Sequence, residues 1–304
     1  MVREYPLRQG KYLRPALVLL AASAMGFKPK LALPTAAAMQ LSEDWLLIID
    51  DFQDSSEFRR QKPALHRLYG APLAVNAASA LHLIMEKTLI ENERLLDKIK
   101  SKKIREEFFR FLSRAAEGQA TELMFGQNSQ MFTDKDWYFI ADGKTSYYTI
   151  AGPMRLGAII AGADEKQLES LAEFGSALGR AFQLVDDLLD LTVSYKGKEQ
   201  KLGGDIKEGK RTLVLGHLER LLGPADLKRL KQIMARGTDK SWAEIDWVIT
   251  KMHEHGSLDY ARNLAQRHKE KAANIFEKEL SFLSREPARS KLKTLINFIV
   301  ERDH

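Results

Sequence analysis

The chain has 304 residues, 44% of them hydrophobic and 29% charged, with a formal net charge of +6. That balance excludes a disordered chain, and the absence of cysteine excludes disulfides, thiolate metal sites and cysteine nucleophiles. Glycine and proline, at 19 and 9 residues, are sparse enough to argue against a turn-rich β architecture.

At the N-terminus, Met1 to Pro15 contains no apolar core of signal-peptide length. The longest apolar runs, such as Pro15 to Met25, fall short of the roughly 18–20 residues of a membrane span. A soluble, cytoplasmic protein without stable membrane insertion is expected. Further along, Leu81, Ile84, Met85, Thr88 and Leu89 follow the i, i+3, i+4, i+7 spacing of a helix face, as do Phe108, Phe111, Leu112 and Ala115. The densest basic stretch, Lys98 to Arg105, carries no interleaved aromatics and reads as a solvated helix junction, with no nucleic-acid partner expected. Breaks at Gly26–Pro29, Gly70–Pro72, Gly162–Asp164, Gly203-Gly204 and Gly223-Pro224 separate the periodic segments. No strand-like alternation, fixed-period repeat or low-complexity linker intervenes. Length alone suggests about two domains. The pattern instead predicts a single all-α domain over residues 1–304.

Chemistry concentrates in two acidic clusters. Asp50-Asp51-Phe52-Gln53-Asp54 directly follows the apolar run Trp45 to Ile49. On a helix, Asp50 and Asp54 share a face, and carboxylates so close repel unless a cation neutralises them or one keeps its proton. Hard oxygen ligands suit magnesium, particularly magnesium shared with a substrate phosphate, although an acidic helix end on the surface is the plainer alternative. Asp186-Asp187-Leu188-Leu189-Asp190 repeats the spacing within an otherwise apolar stretch, where unpaired charge is expensive. Two such clusters on two core helices imply a shared, metal-filled cavity. Phosphate-type cations accompany them: Lys11 and Arg14, the pair Arg59-Arg60, and the glycine-broken basic loop Lys201 to Thr212. Together they describe a site for two polyphosphate substrates bridged by magnesium.

In these motifs, and from Gly10 to about Arg302, the sequence resembles the trans-isoprenyl diphosphate synthases, the polyprenyl synthetase family. The resemblance implies an isoprenoid-synthase-type helical bundle around a deep central cavity, usually as a homodimer. It implies a prenyltransferase that condenses isopentenyl diphosphate with an allylic diphosphate (dimethylallyl, geranyl or farnesyl) to an all-trans C15–C20 product. By the same resemblance Asp50, Asp51, Asp54, Asp186 and Asp190 hold three magnesium ions, with Asp187 behind them. Arg59, Lys144, Lys201 and Lys210 match positions that grip the allylic diphosphate, and Lys11, Arg14 and Arg60 those that bind isopentenyl diphosphate. Thr145, Tyr148 and Gln183 match polar groups beside the reacting carbons, and Phe182 the wall under the homoallylic substrate. Gly118 to Leu123 fits a motif on a cavity helix, and Trp45 the position whose bulk limits product length. A class I terpene cyclase, a head-to-head coupling enzyme and a non-catalytic subunit of a heteromeric synthase are the alternatives.

The physics of the reaction needs no histidine base. Breaking an allylic C–O bond places negative charge on the leaving diphosphate, so cationic contacts strengthen towards the transition state. The allylic cation needs a dry pocket with oriented dipoles, such as the Thr145 hydroxyl and the Gln183 carbonyl.

Several positions depart from the family pattern. Glu43, seven residues before Asp50 and followed by Asp44, stands where relatives carry histidine or glutamine against isopentenyl diphosphate. An ionised Glu43 beside an anion at about 4 Å would cost on the order of 4 kcal/mol at an effective dielectric near 20. Pairing with Lys11 or Arg14, protonation, or a different second substrate would each resolve this. Ala78-Ser79 replaces a common Gly-Asp, and only nine residues lead up to the Gly10-Lys11 motif. His66 has no histidine partner at ligand spacing and reads as structural, and the amphipathic stretch Leu280 to Arg302 reads as packed against the bundle.

Overall fold

The computed structural model describes residues 1–127, 132–192 and 202–300. In chain order the helices are α1 (Glu4–Leu7), α2 (Leu13–Ala24), α3 (Leu33–Gln53), α4 (Leu65–Tyr69) and α5 (Ala71–Ile90). Next come α6 (Asn92–Leu95), α7 (Lys98–Gln127), α8 (Asp134–Ala141), α9 (Gly152–Ala161) and α10 (Glu165–Thr192). The series ends with α11 (Gly204–Glu208), α12 (Leu213–Leu221), α13 (Pro224–Met234), α14 (Trp242–Glu254), α15 (Ser257–Lys278) and α16 (Ala288–Val300). The only strands among the described residues are β1 (Phe58–Arg59) and β2 (Lys62–Pro63), paired antiparallel. The all-α expectation is met.

The residues gather into two compact units assembled from interleaved stretches of chain. The first comprises Met1–Phe109, Gly152–Leu171 and Ser281–Leu292. In it α3 packs on α5, and α2 on α9. Prolines in the first turns of α3 and α5 supply a backbone already set for helix where no N–H partner is needed. Ala74, Ala77, Ala78 and Leu81 of α5 then bury against Ile48 and Tyr5. The small side chains at 74, 77 and 78 give α5 a narrow face that lets the two helices approach closely.

The stretch Ala71–Leu95 is, by length and composition alone, long and apolar enough to cross a membrane, which corrects the reading from uninterrupted apolar runs. The reason is that α5 is apolar around much of its circumference. It buries Ala74, Ala77, Leu81 and Met85, and it exposes Leu73, Leu83, Ile84 and Ile90.

The second unit comprises Arg110–Ala151, Ala172–Leu280 and the residues from Lys293 onward. Its core is an aliphatic cluster drawn from α8, α10, α12, α14 and α15. In α14, Ile245, Val248, Ile249 and Met252 form the buried stripe at helical spacing. Capping boxes at Thr133–Asp136 and Ser241–Glu244 start α8 and α14, each satisfying two backbone donors reciprocally.

Between α8 and α9 the chain continues as a π-helix, Asp142–Ala151. Such wide turns are rare and gather at functional sites. This one lies close against α10: a Cβ on Gly179 would come within 2.2 Å of Ser146 Cα, so only glycine permits the approach.

Candidate active site

In the first unit the cluster Asp50–Asp54 closes the C-terminal end of α3, with Asp54 as the cap residue. Carboxylates there oppose the negative end of the helix dipole, a placement that favours a bound cation. Asp51 is fully buried, where its carboxylate accepts hydrogen bonds from the Tyr5 hydroxyl and from Arg59. Arg59 Nε lies 2.8 Å from Asp51 Oδ1, and Arg59 Nη2 3.9 Å from Asp50 Oδ2. Burial, then the hydrogen bond to Asp51 and the charge behind it, push the Tyr5 hydroxyl far above the usual phenol range. Asp50 and Asp54 remain partly exposed.

Arg59 and Arg60 sit on the hairpin, whose two-residue turn places Arg60 and Gln61 in the left-handed region at φ 50° and 65°. A type I′ turn requires this at both central residues. Strain of that kind in non-glycine residues marks over-determined, functional backbone. The surroundings do over-determine it. Arg8 donates to the Arg59 carbonyl at 3.2 Å and the Pro63 carbonyl at 2.9 Å, and its guanidinium stacks on the Tyr5 ring. Arg60 Nη1 donates to the Tyr5 carbonyl at 2.8 Å and to Asp44 Oδ1 at 3.0 Å. Gly10 leaves room for it, since a Cβ there would meet Arg60 Nη2 at 2.8 Å.

Arg14, in the first turn of α2, ion-pairs with Glu43 at 3.2 Å, and Arg60 approaches the same Glu43 oxygen at 3.6 Å. Of the three resolutions offered for Glu43, the structure shows pairing, with Arg60 as an additional partner. Lys11 is exposed nearby in sequence. Trp45 is half-buried on α3, its ring stacked on His82 of α5 with centroids 5.0 Å apart.

In the second unit a cleft of about 110 Å³ gathers Glu122, Lys144, Thr145, Gln183, Asp186, Asp187, Asp205, Lys210 and Arg211 around Trp137 and Ile140. The π-helix presents Lys144 and Thr145 to it. Lys144 is paired with Glu122 from the Gly118–Leu123 motif on α7. Thr145 Oγ1 donates to Gln183 Oε1 at 2.5 Å, and Gln183 Nε2 donates to Asp187 Oδ1 at 2.7 Å. With its proton committed to Gln183, Thr145 Oγ1 keeps its acceptor capacity at the lining of the cleft. Burial, with the Asp205 charge behind it, holds the Asp187 carboxyl well above its usual range.

Asp186 is exposed in the cleft, whereas Asp190 accepts from the backbone N–H of Gly204 and Asp205, each at 3.0 Å. Burial and then Asp205 raise Asp190 to about 7. Lys210 pairs with Glu208 at 2.7 Å and Asp205 at 3.3 Å.

Some expected members lie elsewhere. Tyr148 is buried with its ring against Phe111 and does not line this cleft, because the π-helix turns it inward; Phe182 also falls outside the lining. Lys201 lies outside the described residues. Conversely, Tyr5, Arg8 and Trp137 escaped the reading of motifs, and Arg211 entered it only as part of the basic loop Lys201 to Thr212. Tyr5 and Arg8 sit before the first recognisable motif, and Trp137 looks like any core aromatic. Asp205 carried a signal, as the acidic member of a glycine-broken basic loop.

No three His, Cys, Asp or Glu side chains among the described residues are pre-arranged around one metal point. The donor chemistry nonetheless fits magnesium, which keeps several waters and takes only one or two carboxylates alongside substrate phosphates.

Comparison with known proteins agrees with this geometry. The sequence profile of the polyprenyl synthetase family matches residues 1–252. A short chain isoprenyl diphosphate synthase of Methanothermobacter thermautotrophicus is 31% identical over 298 residues, 97% of this chain and 87% of its own. The geranylgeranyl pyrophosphate synthetase structure from Pyrococcus horikoshii Ot3 superposes with a TM-score of 0.88 at 31% identity, over 99% of this chain and 89% of that one. A polyprenyl synthase of Caulobacter crescentus CB15, solved with calcium and isoprenyl diphosphate, gives 0.87 at 26% identity over 100% and 88%. With the profile match over most of its length and relatives that share nearly all of it, this chain belongs to the polyprenyl synthetase family.

Proposed function

We propose that this prenyltransferase condenses isopentenyl diphosphate with an allylic diphosphate to an all-trans product of C15–C20, with C20 the product the relatives' names favour. The observation that carries the reading is the cleft of the second unit. It sets Lys144, Lys210 and Arg211 beside an exposed carboxylate, Asp186, and an oriented hydroxyl, Thr145.

The residues divide the work as follows. Lys144, Lys210 and Arg59 bind the allylic diphosphate, and their contacts strengthen as charge builds on the leaving group. Asp50, Asp54 and Asp186 are the magnesium ligands, for three ions in this reading. Magnesium, when bound, supplies charge to the leaving diphosphate. Asp51 and Asp190 act as positioning residues, because their carboxylates are taken up by Tyr5 and Arg59 and by the Gly204–Asp205 backbone. The Thr145 oxygen faces the carbon that becomes cationic, held there by Gln183 and Asp187. Lys11, Arg14 and Arg60 orient isopentenyl diphosphate so that its double bond attacks that carbon.

The interleaved segments support reading residues 1–304 as one domain. We also propose a cytoplasmic homodimer in which a second copy covers the exposed apolar face of α5, where Leu83 is 70% exposed. A solution mass of one chain would count against it. The catalytic assignment is tested by Asp186→Ala. Turnover should fall by about 100-fold or more, while the melting curve stays in place because the side chain is exposed. Near-normal turnover removes Asp186 from the metal site.

A further inference from the structure

We propose that Glu43 is an affinity-setting counter-ion for the second diphosphate. Its carboxylate pairs with Arg14 and lies close enough to Arg60 to offset its charge, so an incoming isopentenyl diphosphate must compete with it for both guanidiniums. The inference rests on, and deepens, the reading that these arginines receive isopentenyl diphosphate.

One Glu43 oxygen lies 3.2 Å from Arg14 Nη1 and 3.6 Å from Arg60 Nη2. Those guanidiniums come from α2 and from the hairpin, and a single anionic oxygen lies near both, as a diphosphate oxygen would. Arg60 does not need Glu43 to stay in place. The Tyr5 carbonyl and Asp44 hold its Nη1, and the Glu43 contact is too long for a hydrogen bond. Glu43 therefore contributes charge to this corner more than it contributes architecture.

The charge is the point. Glu43 and Asp44 together offset the two guanidiniums, so the pair presents little net positive charge to an approaching anion. All four side chains are mostly buried, which keeps the interaction from being screened away by salt. A diphosphate, with more charge and with oxygens that suit the guanidinium fork, can displace the carboxylate. It does so against an opposing ion pair, and the affinity of the second site is lowered accordingly.

The test is steady-state kinetics of the full chain and Glu43→Gln, with each diphosphate varied in turn while the other is saturating. KM for isopentenyl diphosphate should fall at least tenfold in the variant, equivalent to about 1.4 kcal/mol. KM for the allylic diphosphate should change less than twofold. Glu43→Ala should shift in the same direction, and thermal melting checks that both variants are folded. A purely structural role would move both KM values together, and that result, or a raised KM for isopentenyl diphosphate, overturns the proposal. Calorimetric titration of isopentenyl diphosphate into metal-free protein reads the same displacement without turnover. Equal affinity in wild type and Glu43→Gln refutes the counter-ion. Tighter binding by the variant, in a protein that forms no prenyl product, refutes the catalytic reading and leaves this one standing.

Discussion

Tyr5→Phe removes a single oxygen, and the structure says that the loss is felt at the acidic cluster. The Tyr5 hydroxyl is fully buried, donates to Asp51 and accepts from the Leu65 N–H at 3.3 Å. A hydrogen bond to a charged partner contributes about 1.5–3 kcal/mol, and a buried donor left without its partner costs about 1 kcal/mol or more. Phenylalanine fills the same space, so no cavity term offsets or enlarges these values. A destabilisation of about 2–4 kcal/mol is expected, read from urea unfolding as a lower midpoint at unchanged slope. The double variant with Asp51→Asn isolates the pair, and a coupling of about 1 kcal/mol or more is expected from groups in one network. Because Asp51 in turn fixes Arg59, KM for the allylic diphosphate should rise as well. A stability change below about 0.5 kcal/mol, or strict additivity with Asp51→Asn, would refute the idea that the N-terminal segment positions this cluster.

Two further outcomes are expected. Trp45→Ala should shift the product towards longer chains, since the indole stacked on His82 is the bulk assigned to the cavity floor; an unchanged product distribution in a mass spectrum removes Trp45 from that role. Acid should destabilise the second unit through His268, which burial and then Arg180 lower to about 4. The unfolded chain takes up this proton near pH 6.5 and the folded chain only near 4, so stability is full above 6.5 and declines between those values. The decline attributable to this group is on the order of 2–3 kcal/mol after allowing for its partial exposure. His268→Phe, which keeps the ring beside Tyr138, should flatten the urea midpoint across that window, and a curve parallel to wild type would contradict the assignment.

Helical periodicity made the architecture legible, because a buried stripe at 3.6-residue spacing survives in long elements, as at Phe108, Phe111 and Ala115 of α7 and Ile245, Val248, Ile249 and Met252 of α14. The paired aspartate clusters were equally legible, since charge inside apolar stretches has few structural explanations. What could not be read depends on contacts between distant residues. The spacing Asp50-Asp51-Asp54 does not reveal that the middle carboxylate is sealed by Tyr5, 46 residues earlier. The π-helix at 142–151 left no mark, because Ser146 to Ala151 are all buried and no one-sided stripe records the wider turn. The Arg60-Gln61 hairpin lacks the Asn-Gly signature and is imposed by Arg8, Tyr5 and Asp44. For Glu43 the sequence posed the right question, and the geometry answered it with Arg14 and Arg60.

The most direct test of the central claim is a mass spectrum of the products formed by purified protein with magnesium and isopentenyl diphosphate, each allylic primer from C5 to C15 being supplied in turn. A discrete all-trans diphosphate that gains five carbons per step and stops at C15–C20 is expected. Consumption of the primer without incorporation of isopentenyl units would contradict it.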